Sequence, residues 1–130
     1  CSVLRHLHAA AELLRGDLFG LLPPRINATP PHQVVCIFAT FVLNQFSPAM
    51  LASLRKMLVE LSVSRPVYLV VMGFTEFIEP GTPWIGDAQV WVLRLRGGSG
   101  EYRLASIANP HGRWLDWRPD SPRNPWRPKY

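Results

Sequence analysis

A chain of 130 residues, 48% hydrophobic and 18% charged, has room for one domain with its own core and is too apolar for a disordered tail. No apolar run reaches the ~18 residues of a membrane span, and no charged-then-apolar leader opens the chain, so the expectation is a cytoplasmic globular domain without a membrane partner. The net charge is +5. Most of it collects late, where Arg113, Arg118, Arg123, Arg127 and Lys129 stand against Asp116 and Asp120. A basic terminal segment suits phosphates or an acidic partner, or is a solvated strap.

The chain begins at Cys1, inside helix-like sequence, the pattern of a piece of something longer. Val3, Leu4, Leu7, Ala11 and Leu14 repeat at helical spacing, which predicts a helix over residues 2–15 between Ser2 as N-cap and Gly16 as C-cap. Residues 18–22 form an apolar stretch closed by Pro23-Pro24, and residues 25–32 read as a loop. Residues 34–39 are a continuous apolar, β-branched run, the mark of a strand buried on both faces, with Cys36 as packing material. Ser47-Pro48 opens a helix in the favoured way, with Leu51, Leu54, Leu58 and Leu61 as its apolar stripe. Residues 66–72 are a second apolar strand, ended by Gly73. Strand, helix and strand within about 40 residues make a parallel βαβ unit.

Residues 74–87 show no clean period and read as a loop. Residues 88–96 and 102–108 alternate like strands, and Gly97-Gly98-Ser99-Gly100 between them signals a hairpin. That glycine-rich link is no phosphate loop, because no helix follows to supply amide groups. The two cysteines, Cys1 and Cys36, have neither metal-ligand spacing nor the number for a disulfide framework. Beyond Asn109 the chain is aromatic, basic and proline-rich.

A parallel βαβ followed by an antiparallel hairpin resembles the C-terminal half of a class I, S-adenosylmethionine-dependent methyltransferase fold, whose last strand inserts antiparallel into the sheet. The residues Arg15-Gly16-Asp17, Val34 to Phe38, Phe46-Ser47-Pro48 and above all Asn109-Pro110-His111-Gly112-Arg113-Trp114-Leu115-Asp116-Trp117 are similar to those of an uncharacterised bacterial family built on that Rossmann-like fold. The fold expected from the resemblance is α/β, a methyltransferase-type sheet with parallel strands and a closing hairpin. Residues 1–117 would be the C-terminal part of one domain, and residues 118–130 a Pro/Arg-rich tail.

The same resemblance suggests sites. Asp17 matches the acidic or amide residue that contacts adenine at a strand end, which needs a short strand over residues 13–16; in the helical reading it is a loop or capping residue. Thr40 and Asn44 would lie at the carboxyl end of the sheet, where α/β folds bind ligands, Thr40 toward the cofactor and Asn44 toward the substrate. Asn44 and Gln45 read equally as the turn before Ser47. The Asp/Asn-Pro-Pro-Tyr motif of N-methyltransferases is missing at this place. His111 is the candidate acid–base residue, with Gly112 permitting close backbone approach and with Arg113 and Trp114 as anion binder and stacking face for a substrate. A histidine between Pro110 and Gly112 also suits a plain turn, and Trp114 and Trp117 suit capping a core.

Two functions follow. The first is a methyltransferase-like domain that binds S-adenosylmethionine and a small-molecule substrate when full length and is inactive as this piece, since no Gly-x-Gly-x-x-Gly turn follows any strand. The second is a non-catalytic interaction module whose basic, Trp-containing tail contacts a protein partner; nucleic acid is the weaker version, because the other basic residues are dispersed. In the methyltransferase-type sheet, the strand at residues 34–39 would lose its outer neighbour in this chain. It becomes a long, apolar edge without charge or proline, a template for homodimer formation unless the upstream part or residues 2–15 cover it.

Overall fold

A computed structural model describes residues 12–73, 86–117 and 126–128. Helix α1 (Leu18–Ala28) and strand β1 (Val35–Thr40) are followed by a 3-10 turn (Val42–Gln45), helix α2 (Pro48–Leu61) and strand β2 (Val67–Gly73). Then come β3 (Ala88–Arg96), β4 (Ser99–Ala108) and two short strands, β5 (Leu115–Trp117) and β6 (Arg127–Pro128). They form one mixed sheet in the order β1-β2-β3-β4-β5, with β6 also on β4. Only β1 and β2 are parallel; every later pair is antiparallel. The fold is α/β.

The parallel β1–α2–β2 crossover and the closing hairpin are both present. The inserted last strand is not: β3, rather than β4, lies against β2. Side chains explain the order. Trp91, Leu93 and Leu95 of β3 stand opposite Val71, Leu69 and Val67 of β2 and are all buried with them. Strand β4 carries Glu101 and Arg103 and suits a place farther from the centre.

Both helices lie on the same side of the sheet, with Ile26, Leu54, Leu58, Leu69, Leu93 and Leu95 buried between. Ser47 caps α2 as its sequence foretold, its Oγ accepting from the Met50 amide at 3.2 Å, and Leu54 and Leu58 are the buried centre of the helix's stripe. The β3–β4 turn is two residues long, with Gly97 at φ 59° and Gly98 at φ 78°, the left-handed pair that a tight hairpin turn requires. It is tied to the end of α2. Ser62, 1% exposed, accepts from the Gly97 amide on its carbonyl and from the Gly98 amide on its hydroxyl, and that hydroxyl donates to the Val59 carbonyl.

Three sequence expectations change. Residues 12–17 hold neither helix nor strand, and the rest of the expected helix at 2–15 lies outside the described residues. Helix α1 begins instead at Leu18 and runs through Pro23 and Pro24, where two ladder hydrogen bonds have no donor. It survives there because Leu18, Phe19, Leu22 and Ile26 pack on the core and because Arg65 donates to the Ile26 carbonyl at 3.0 Å. Strand β1 is not buried on both faces: Val35, Ile37 and Ala39 point to the helices, while Cys36 and Phe38 are exposed. The loop at 74–87 lies outside the described residues up to 85.

Candidate functional site

Alternation along β1 sorts the candidates. Ile37 and Ala39 turn toward the helices and line a cavity of about 370 Å³ together with Leu18, Phe19 and Leu22 of α1, Leu43 and Phe46 of the 3-10 turn, and Leu54 and Leu58 of α2. This is the volume of a small-molecule pocket, and its walls are mostly hydrocarbon. Val42 and Met50 form part of its rim and remain 43% and 41% exposed. The wall holds one charged residue, Asp17.

Asp17 does not end a strand. It is the N-cap of α1, in extended backbone, and its Oδ2 accepts from the Gly20 amide at 3.1 Å. Gly16 beside it is held close: a Cβ there would meet Leu21 Cδ1 at 2.9 Å. Thr40 is exposed and, by the two-residue period, turns to the sheet face opposite Asp17. The two residues assigned to a cofactor therefore face different spaces, and together they do not make one cradle for S-adenosylmethionine.

The carboxyl ends of β1 and β2 carry a strained corner. Phe41 has φ 57°, a rare conformation for a bulky residue, and its amide donates to the Met72 carbonyl at 2.7 Å. Asn44 then packs on Gly73 so closely that a Cβ on Gly73 would stand 2.9 Å from its Oδ1. A side chain on Gly73 would displace that amide, a constraint with no signal in the sequence.

His111 lies in the turn between β4 and β5. Asn109 organises that turn through its Oδ1, which accepts from the amides of His111 at 3.0 Å and Arg113 at 3.4 Å. Its backbone amide also donates to the Trp114 carbonyl at 3.0 Å, and Gly112 takes φ 73°. The turn is at the same end of the sheet as Thr40 and Asn44, because Ala108 pairs with Ala88 and Gly73 with Gln89. Three strand spacings, roughly 14 Å, separate it from β1. His111, Arg113 and Trp114 thus form an exposed corner apart from the cavity. Trp114 and Trp117 are 45% and 59% exposed and do not cap the core.

Of the tail, residues 126–128 are described, and they are docked. Arg127 and Pro128 pair with Tyr102 and Glu101 of β4, while the guanidiniums of Arg94 and Arg103 each lie 4.6 Å from the Trp126 ring. Arg94 is also paired with Glu101. Among the described groups with a displaced titration, the exposed Glu12 carboxyl is lowered by its hydrogen bond from Arg25 at 2.6 Å and by that charge, and Arg25 is raised in return.

Comparison with known proteins adds the family. Residues 4–117 match the family described as an uncharacterized protein conserved in bacteria (DUF2332). The chain belongs to it. No curated protein and no solved structure matches the chain. Among the described residues no three His, Cys, Asp or Glu side chains gather as a metal group, and no helix is long and apolar enough to cross a membrane.

Proposed function

We propose that this member of the DUF2332 family is a binding module whose functional site is the apolar cavity between α1, α2 and β1. The observation that carries this is the cavity's composition: about 370 Å³ walled by Leu, Ile and Phe side chains, with an exposed apolar rim at Val42 and Met50. Such a space selects an uncharged, branched or alkyl group, supplied by a small molecule or by a partner's side chain. Asp17 spends one carboxylate oxygen on the α1 cap, and the other is available to a hydrogen-bond donor on the occupant. The acid–base candidate His111 belongs to a turn several strands away, so binding at the cavity proceeds without it.

The test is a titration of a short-chain alcohol followed by the methyl resonances of Ile37, Leu54 and Leu69. Saturable shifts that Ala39→Leu abolishes, by filling the space, would support the reading. Shifts that never saturate, or that survive the filled variant, would dismiss it.

A second reading is the methyltransferase-like one, favoured by the parallel β1–α2–β2 crossover and by the place of Asp17 in the cavity wall. The resemblance supplies S-adenosylmethionine as the ligand, with Asp17 toward its adenine. Calorimetry on the full-length protein should then give heat that Asp17→Ala diminishes. A flat titration with the intact protein removes this reading and leaves the first untouched.

A further inference from the structure

The cavity wall carries one charged side chain, and that charge selects the head group of the occupant. Leu58 and Leu69, each 1% exposed, lie at the cavity's depth, whereas Asp17 lines it and is exposed, so its carboxylate stands at the mouth. Two contacts hold it there. Oδ2 accepts from the Gly20 amide at 3.1 Å, and the Asp17 carbonyl accepts from the Leu21 amide at 3.0 Å. The carboxylate cannot swing away without giving up the α1 cap.

Asp17 also takes no part in an ion pair among the described residues, and Arg25, the basic residue of α1, is committed to Glu12. The site thus presents a fixed negative charge over an apolar space, with Oδ1 left unused by the cap.

We propose that the occupant is a small primary amine, its branched or short alkyl group in the cavity and its ammonium on the Asp17 carboxylate. This rests on the cavity being the binding site. An ammonium brings three N–H donors and the opposite charge, and a pair beside mostly hydrocarbon walls is screened less than one in open water. An alcohol of the same shape can donate one hydrogen bond to Oδ1 but brings no charge. A carboxylate of the same shape sets like charge against like. The volume of about 370 Å³ is near the lower end for small-molecule sites and suits a compact alkyl group.

Three ligands of one shape test the proposal on the intact protein at neutral pH: 3-methylbutylamine, 3-methylbutanol and 3-methylbutanoate, each titrated against the methyl resonances of Ile37, Leu54 and Leu69. The amine should bind about fivefold more tightly than the alcohol, the gain open to an exposed ion pair, and the carboxylate should bind weakest. Added salt should narrow the gap between amine and alcohol. Asp17→Asn removes the charge and keeps the cap, since asparagine caps a helix as well as aspartate does. Its melting curve should match that of the parent, while its affinity for the amine falls to that for the alcohol. Equal binding of amine and alcohol by the parent, or a preference for the amine that survives Asp17→Asn, would overturn the proposal and leave the cavity as a site for a neutral group. If none of the three ligands saturates, the cavity is not the site and both readings fall.

Discussion

On its β4 side the sheet is finished by chain that returns to it. Strand β5 pairs along Ser106 to Ala108, β6 pairs at Glu101 and Tyr102, and Trp126 is held by Arg94 and Arg103. On its β1 side no strand follows among the described residues, and Val34 and Phe38 are 71% and 72% exposed. Composition matches the difference. The β4 side carries Glu101, Arg103, Asp116 and Pro128, residues that discourage adventitious pairing, whereas β1 carries none of these types. One edge is closed from within the chain, and the other is open among the described residues.

The largest effect should come from a change that cannot tell the two sides apart. Leu58 is 1% exposed and joins α2 to the sheet, so Leu58→Ala should cost about 2–5 kcal/mol in a denaturant melt. Backbone exchange should rise on both sides together; a rise confined to one side would mean two independent cores. Ser62→Ala acts on the hairpin that carries the closed edge. It strips a buried acceptor from the Gly98 amide, for about 1–3 kcal/mol, and should accelerate exchange at Gly98 before it affects β1.

Trp126→Ala attacks the closed edge directly. Loss of two partly exposed cation–π contacts should cost about 1–2 kcal/mol, and the outer side of β4 should then exchange like an edge. If β4 stayed protected, strand pairing by β6 alone would be what closes it. Asp17→Ala works on the other side, by removing the α1 cap, for about 1 kcal/mol. The effect should be confined to α1 and the cavity rim. The smallest effect belongs to Glu12. Its carboxyl is lowered by Arg25, so the pair's contribution is present above the ordinary carboxylate range and is lost as pH falls through the lowered value. Both groups are exposed, so Glu12→Gln should change the melting temperature slightly at pH 7 and not at all once the carboxyl is protonated.

What was legible in the sequence was whatever one segment decides for itself. Ser47-Pro48, the leucine stripe of α2, the two apolar strands and the Gly97-Gly98 turn all carry local signals, and all are found. Helix α1 is not legible because Pro23-Pro24 argue against it locally, while packing of Leu18, Phe19, Leu22 and Ile26 decides for it. The apolar run at β1 reads as doubly buried because composition does not say on which side the helices will lie. Both lie on one side, so Cys36 and Phe38 are left out. The site was less legible than the fold. Asp17 and Thr40 are candidates through the resemblance and His111 through its chemistry, but only the strand alternation and the β3-next-to-β2 order show that they face different spaces. The cavity had no sequence signal, since its walls are the same leucines and isoleucines that any core would use.

The contrast between the two edges is tested most directly by amide hydrogen exchange measured residue by residue. The Phe41 amide bonds to Met72 of β2, so by the two-residue period the amides of Phe38 and Thr40 point away from β2 and should exchange rapidly, while those of Ile107 and Asn109, which point to β5, stay protected. Equal protection of Phe38 and Thr40 would contradict the account, because the β1 edge would then be covered as the β4 edge is.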